Sequence, residues 1–262
     1  MHQIPATNPI LKDLFDPQLP NSPALWAVLK GNHSGKALVD ELQLPSQAVL
    51  RTDAVLTYFS TRTRQSFLNQ VIAVMREFEE IRLVWPHETS LYPPEIESAS
   101  IEERFEFSET DSDTLSRLRS QLPTGCLIRA IDAQLLQRCE WHDDMVFYTG
   151  STENFLAHGI GLCLMQGDEI LVEVYASALG KTRAEIGEIT RENYRGRGYA
   201  PIACTYLIEA CQQRGYQAYW SCDADNTASM RVAQKLGFQK TNSYQIFKYE
   251  PIGSQHENQH NN

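Results

Sequence analysis

The sequence predicts a mixed α/β protein of two modules, and three observations predict it. First, 262 residues exceed the roughly 100–150 that one compact core commonly holds. Second, short apolar runs of strand length alternate with segments whose apolar residues recur every three or four positions. Third, the second half carries a strand, a glycine-bearing loop and a helix start in immediate succession. The modules expected are a smaller α/β domain over 1–110 and a larger one over 111–250, followed by a disordered tail over 251–262. With 42% hydrophobic and 21% charged residues, the composition is that of an ordinary soluble globular protein. A net charge of −10 argues against a phosphate backbone as the main partner, because counterion release needs clustered Lys and Arg.

In the first module Ala24–Leu29, Ala37–Val39, Ala48–Leu50 and Val55–Phe59 read as short strands separated by turn-rich pieces such as Gly31–Gly35. Ser66–Ile81 places Phe67, Val71, Val74, Met75, Phe78 and Ile81 on one helical face, and Arg82–Trp85 follows as a strand. Pro86, Pro93 and Pro94 mark 86–100 as a linker or surface loop. The acid-rich stretch 101–120, with Glu102, Glu103, Glu106, Glu109, Asp111 and Asp113, reads as a solvated or bridging segment.

From Leu122 the pattern becomes regular. Strand Cys126–Ala130, helix Asp132–Cys139, helix Thr152–Ala157 and strands Ile160–Met165 and Glu169–Ala176 follow, the last two joined by a turn at Gln166–Asp168. Strand Glu185–Thr190 then leads to the informative loop. No internal repeat is visible. Residues 253–262, rich in Gln, Asn and His, lack apolar content and predict disorder; His256 and His260 there would bind metal only adventitiously. The six cysteines, Cys126, Cys139, Cys163, Cys204, Cys211 and Cys222, form no CxxC pair, so buried free thiols are expected and no metal. Met1–Phe15 has no signal-peptide pattern and no apolar run approaches the roughly 20 residues of a membrane helix. A cytoplasmic chain without a membrane partner is expected.

The chemistry-bearing stretch is Arg195-Gly196-Arg197-Gly198-Tyr199-Ala200-Pro201, between the strand ending at Thr190 and a helix that runs to Arg214. A helix start exposes backbone N–H groups with no intrahelical acceptor, and the helix dipole adds partial positive charge. Such a junction suits phosphate or pyrophosphate. Gly196 and Gly198 let the backbone come close, and Arg195 and Arg197 add charge. A Walker A loop fits poorly because no Gly-Lys-Ser/Thr follows, and a Rossmann fingerprint because Pro201 stands where its third Gly belongs. The loop does match Arg-x-x-Gly-x-Ala, with Arg195, Gly198 and Ala200. A second motif follows strand Ala218–Cys222: Asn226, a small residue three later (Ser229), a helix to Leu236 and a closing Gly237-Phe238.

On these two motifs, in this order and on these elements, the sequence resembles the GNAT superfamily of acyl-CoA-dependent N-acyltransferases over about 122–249. Tyr194–Ala200, Trp220-Ser221-Cys222 and Asn226–Ser229 resemble its zwittermicin-A-resistance-type subgroup, whose members also carry an amino-terminal α/β extension. The resemblance implies a sheet splayed between strands Glu185–Thr190 and Ala218–Cys222. The pantetheine arm of acetyl-CoA would enter that gap along Ile189 and Thr190. The pyrophosphate would lie on Arg195, Gly196, Arg197, Gly198, Tyr199 and Ala200, with Asn226 and Ser229 beside the cofactor. An amine attacking the thioester needs a base and an oxyanion donor. Glu185 is the first choice for the base and Glu188 the second, and backbone N–H groups near Glu188 and Ile189 would be the oxyanion donors. Where many relatives place a Tyr as the acid for the departing thiolate, this chain has Ala233; Ser229, Tyr199, Cys222 or water would have to substitute, or the thiolate leaves unassisted. The expected activity is acetyl transfer to a primary amine of a small molecule. The alternative is a GNAT fold that binds coenzyme A as a sensor without transfer. The acidic 141–144 segment is a candidate attractor for a cationic amine. The amino-terminal module reads as a degenerate acyltransferase half or a dimerisation element, which leaves a homodimer open.

Overall fold

A computed structural model describes residues 1–252 apart from His87, Glu97, Ser98 and Glu109. Of the expected tail 251–262, residues 253–262 with His256 and His260 lie outside the described residues, as does Glu109 of the acid-rich stretch. The chain forms two compact units, one of Met1–Arg104 with Ser243–Asn262 and one of Phe105–Asn242. This division departs from a sequential cut at 110, because the chain returns to the first unit after residue 242.

The first unit contains β1 (His2–Pro5), α1 (Ser22–Leu29), β2 (Gly35–Val39), β3 (Ala48–Thr52), β4 (Leu56–Phe59), α2 (Gln65–Met75) and β5 (Ile81–Trp85). Strands β1 to β4 form an antiparallel meander, and β4 pairs in parallel with β5 through the α2 crossover. The stretch Ala24–Leu29, expected as a strand, is helix α1. Every residue from Ser22 to Leu29 is buried, so no stripe or alternation distinguishes helix from strand, and Pro23 fits a first turn. Helix α2 ends at Met75, six residues short of the expected Ile81. Arg76 caps it, Phe78 is 80% exposed, and Ile81 starts β5 instead. The α2 face of Phe67, Leu68, Val71, Ile72 and Met75 packs on Val49, Phe59, Ile81 and Leu83.

The second unit begins within β6 (Ser100–Ser108) and continues through α3 (Ser112–Arg119), β7 (Cys126–Ala130), α4 (Ala133–Leu136), α5 (His142–Thr149), α6 (Thr152–His158), β8 (Gly161–Gln166), β9 (Glu169–Leu179), β10 (Arg183–Thr190), α7 (Tyr199–Gln213), β11 (Gln217–Asp223), α8 (Thr227–Lys235) and the start of β12 (Gln239–Tyr249). Its strand order is β6-β11-β10-β9-β8-β7. The acid-rich stretch is therefore a strand and a helix rather than a solvated bridge. Glu106 within it is buried, accepting hydrogen bonds from Tyr219 Oη and Asn242 Nδ2, and Asp111 caps α3 by accepting from Thr114 N–H. Leu115, Leu118, Leu207, Ile208 and Ala233 of α3, α7 and α8 share a core with Val172, Ala184, Ile186 and Trp220 of the sheet. A second core joins Leu135, Leu136, Met145 and Phe155 of α4 to α6 with Cys163, Met165 and Tyr175.

The two units repeat one topology. In each, four antiparallel strands with helix inserted after the first (β1–β4, β7–β10) lead through a crossover helix (α2, α7) to a strand parallel to the fourth (β5, β11). The sequence shows no repeat because only periodicity and turn positions recur. At the crossover junction the first unit has Ser60-Thr61-Arg62-Thr63-Arg64 where the second has the glycine loop.

Candidate active site

Strands β10 and β11 pair over only three positions, Arg183 with Gln217, Ala184 with Ala218 and Glu185 with Tyr219. Beyond these each strand runs on, β10 to Thr190 and β11 to Asp223, with no further pairing between them among the described residues. The separation begins where the β9–β10 register shifts, between Glu185 and Ile186; a bulge of this kind raises local twist and turns a strand away from its neighbour. On its other edge β10 stays paired to its end, Ile189 with Glu173 and Thr190 with Val172. The open edge of 186–190 thus offers alternate backbone N–H and C=O groups to a ligand in the gap.

At the mouth of the gap lies the glycine loop. Gly196 has φ +76° and Gly198, the residue before α7, has φ +80°; a Cβ on either would meet nothing within 4 Å. Both glycines therefore serve a left-handed backbone facing open space. Tyr199 and Ala200 open α7, whose first N–H groups have no intrahelical acceptor. Arg195 donates from Nε to Thr190 O (3.2 Å), and Arg197 donates to Asn193 O (3.1 Å) while its guanidinium lies 5.3 Å from the Tyr194 ring centre. The loop has the chemistry of a phosphate cradle. Beside its first turn opens a cavity of about 500 Å³ lined by Arg138, Glu140, Glu169, Arg191 and Arg195 among others.

Glu185 and Glu188 leave β10 on opposite faces. Glu185 Oε1 accepts from Ser221 Oγ of β11 at 2.8 Å, bridging the two strands where they part. Glu188 lies toward α7, where its charge acts on the Cys204 thiol. Burial holds its carboxyl above the usual carboxylate range, against the opposing pull of a Thr190 hydrogen bond and Arg195. Asn226 Oδ1 accepts from Ser229 N–H at 3.0 Å as the α8 cap, and Ser229 Oγ accepts from Trp220 Nε1 at 2.9 Å. Ala233 and Cys222 are buried in the core. Burial pushes the Cys211 thiol up to about 12.

Beyond the acidic 141–144 segment, the sequence does not show how the opposite face of the gap is built. Trp141 packs edge-on against Tyr175, ring centres 5.5 Å apart, and both stand over Gly187, whose added Cβ would lie 3.0 Å from Tyr175 Cε1 and 3.4 Å from Trp141 Cζ3. Asp143 and Asp144, expected in a loop, occupy the first turn of α5, where carboxylates favour the positive end of the helix dipole. Burial pushes the Tyr175 phenol up, with Tyr148, Asp144 and Glu185 adding to it. Aromatic and acidic groups thus collect on the Glu185 face of the gap. Trp141 follows no periodicity, and Gly187 sits in a strand pattern where a glycine only hints at close approach.

A strand pair that opens at a bulge, with a glycine-capped helix at its mouth, defines the GNAT type of fold. The chain belongs to the GNAT acetyltransferase family, whose profile matches residues 12–247. It is 31% identical over 129 residues to YdfB of Bacillus subtilis strain 168, described as an uncharacterized N-acetyltransferase. That match covers 48% of this chain and 49% of YdfB, so the chain spans about half the length of this curated relative. A GCN5-related N-acetyltransferase-like protein from Streptococcus suis 89/1591 superposes with a TM-score of 0.66 at 25% identity, over 92% of this chain and 97% of that one. A tandem GNAT protein from the clavulanic acid biosynthesis pathway shares the fold with a TM-score of 0.62 at 10% identity, over 95% of this chain and 98% of its own. Family members in general use acetyl-CoA as cosubstrate. Among the described residues no three His, Cys, Asp or Glu side chains gather as metal ligands, and no helix is long and apolar enough to cross a membrane.

Proposed function

We propose that this chain transfers the acetyl group of acetyl-CoA to a primary amine of a small molecule by direct attack. The observation that carries the reading is the opening of β10 from β11 at Glu185 with the glycine-capped start of α7 at its mouth. Acetyl-CoA supplies an activated thioester, and the chain's part is to bind, orient and move protons. Gly196, Gly198, Tyr199 and Ala200 would hold the pyrophosphate through main-chain N–H groups, with Arg195 and Arg197 adding charge. Ile189 and Thr190 would hold the pantetheine arm along the open edge of β10. Glu185, oriented by Ser221, would take the proton of the amine as its nitrogen bonds to the acetyl carbon. A main-chain N–H near Glu188 or Ile189 would support the carbonyl oxygen as it gains charge. The C–S bond then breaks. Tyr199, water or Ser229 would supply the proton to the thiolate; Ser229 Oγ accepts from the Trp220 indole and keeps its own O–H to donate. Only the second unit carries glycines at its crossover junction, Gly196 and Gly198 against Ser60–Arg64 in the first, which supports a single cofactor on the second unit.

Calorimetry with acetyl-CoA and with free coenzyme A tests the reading, using Gly198→Tyr as the blocked control. Binding of one equivalent, lost in that variant, supports the phosphate loop and justifies an amine screen in which Glu185→Gln should lower kcat at least 100-fold. Binding with no turnover of any amine, or turnover untouched by Glu185→Gln, sinks the transfer step or the base assignment. The first of these leaves a coenzyme A sensor, which the buried Ala233 in place of a Tyr favours.

A further inference from the structure

Glu173 is the one fully buried acidic side chain among the described residues. It lies on β9, outside the chemistry assigned above. Its Oε1 accepts from Glu140 N–H at 2.7 Å and from Arg191 at 2.7 Å, and its Oε2 accepts from Trp141 N–H at 3.1 Å. Arg191 also donates to Arg138 O at 2.6 Å and pairs with Glu140 Oε2 at 3.2 Å. With the carboxylate buried and Arg191 30% exposed, the pair adds little net stability over apolar side chains of the same shape, because desolvating Glu173 offsets the attraction. What it adds is direction, since five bonds fix two backbone segments to one carboxylate and guanidinium.

Those two segments serve opposite halves of the site. Glu140–Trp141 starts α5 and sets the Trp141 ring over Gly187 and Tyr175, on the Glu185 face. Arg191 follows the end of β10 and roots the turn into the glycine loop: its carbonyl accepts from Tyr194 N–H, and Glu192 O accepts from Arg195 N–H. We propose that Glu173 and Arg191 are positioning residues that couple the cofactor loop to the acceptor-side wall, so that filling the loop orders Trp141 and cofactor binding favours acceptor binding. The coupling rests on the proposed cofactor reading. Linkage makes it reciprocal.

Hydrogen exchange of the 139–145 segment, with and without saturating coenzyme A, tests it, beside calorimetry of the same samples. In the intact protein coenzyme A should slow exchange of the Glu140 and Trp141 amides at least fivefold. Arg191→Lys keeps the charge but cannot bridge Glu173, Glu140 and the Arg138 carbonyl at once. It should bind coenzyme A to saturation and show less than half of that protection. Glu140→Gln, at a carboxylate already 43% exposed, should lie between the two and covers the case that Arg191→Lys fails to fold. A purely structural cluster would change basal exchange and leave the ligand-induced factor intact. Full protection in Arg191→Lys, or none in the intact protein while calorimetry shows coenzyme A bound, overturns the coupling. No coenzyme A binding by the intact protein overturns the cofactor reading first and the coupling with it.

Discussion

Replacing Gly198 by alanine separates the cost of backbone strain from the cost to the cofactor, because the chain contains a matched control. Gly198 has φ +80° and Gly125 has φ +82°, both are exposed, and a Cβ on either meets nothing within 4 Å. The left-handed conformation costs an L-residue about 1–2 kcal/mol, and the stiffer unfolded chain returns about 0.4–1 kcal/mol of it. Both substitutions should therefore cost about 1 kcal/mol and lower Tm by about 3 °C. Only Gly198 stands before the first N–H groups of α7. A methyl there keeps one phosphate oxygen from its donors, and a hydrogen bond to a charged group is worth about 1.5–3 kcal/mol. Coenzyme A affinity should fall about 10- to 100-fold in Gly198→Ala and change less than about twofold in Gly125→Ala. Scanning calorimetry reads the first quantity and titration calorimetry the second. An unchanged coenzyme A affinity in Gly198→Ala would refute the phosphate loop. Equal affinity losses would show that strain alone, and not approach to the ligand, disturbs binding.

Burial raises the Glu188 carboxyl above its usual range, with Thr190 and Arg195 pulling the other way, so the stability it contributes is present below the unfolded pKa and lost as pH rises through the folded one. Glu188→Gln should accordingly raise the urea midpoint at pH 7.5, give no gain at pH 4, and leave kcat within about threefold if Glu185 is the base; loss of turnover would move the base to Glu188. Burial lowers His33 from 6.5 to about 4, so the neutral ring favours folding above pH 6.5 and that contribution falls away toward pH 4. Urea titrations at the two limits should show about 3 kcal/mol of pH dependence that His33→Gln removes. Gly187→Ala would set a methyl 3.0 Å from Tyr175 Cε1 and 3.4 Å from Trp141 Cζ3, at about 1–3 kcal/mol of overpacking. It should raise KM for the amine while coenzyme A affinity stays within about twofold, and a matching loss of cofactor affinity would place the aromatic wall in the cofactor path.

The residues legible in the sequence are those whose chemistry is local. The conformation of Gly198, the cap at Asn226 and the turn at Gly237 each depend on a few neighbouring backbone groups, so their spacing can be read directly. Helix α1 escapes that reading because burial on all sides erases the periodicity that tells helix from strand. Glu106 and Asp111 look like parts of one acidic surface in sequence, yet Glu106 is buried under Tyr219 and Asn242 while Asp111 caps a helix. The charge is the same in both; Asp111 finds its donor three residues on, whereas the partners that bury Glu106 lie more than a hundred residues away. Glu173 is the extreme case: an acid in the middle of the β-run Glu169–Leu179, it would be placed on a solvated face by alternation with its neighbours. Burying it requires N–H donors from 140–141 and a guanidinium from 191, and no local pattern announces their convergence. The topological repeat is hidden for the same reason, since strand pairing constrains hydrogen bonds and burial but hardly residue identity. What distinguishes the two halves is legible, because it is the one place where identity matters to the backbone: glycines at 196 and 198 against Ser60–Arg64 at the equivalent crossover.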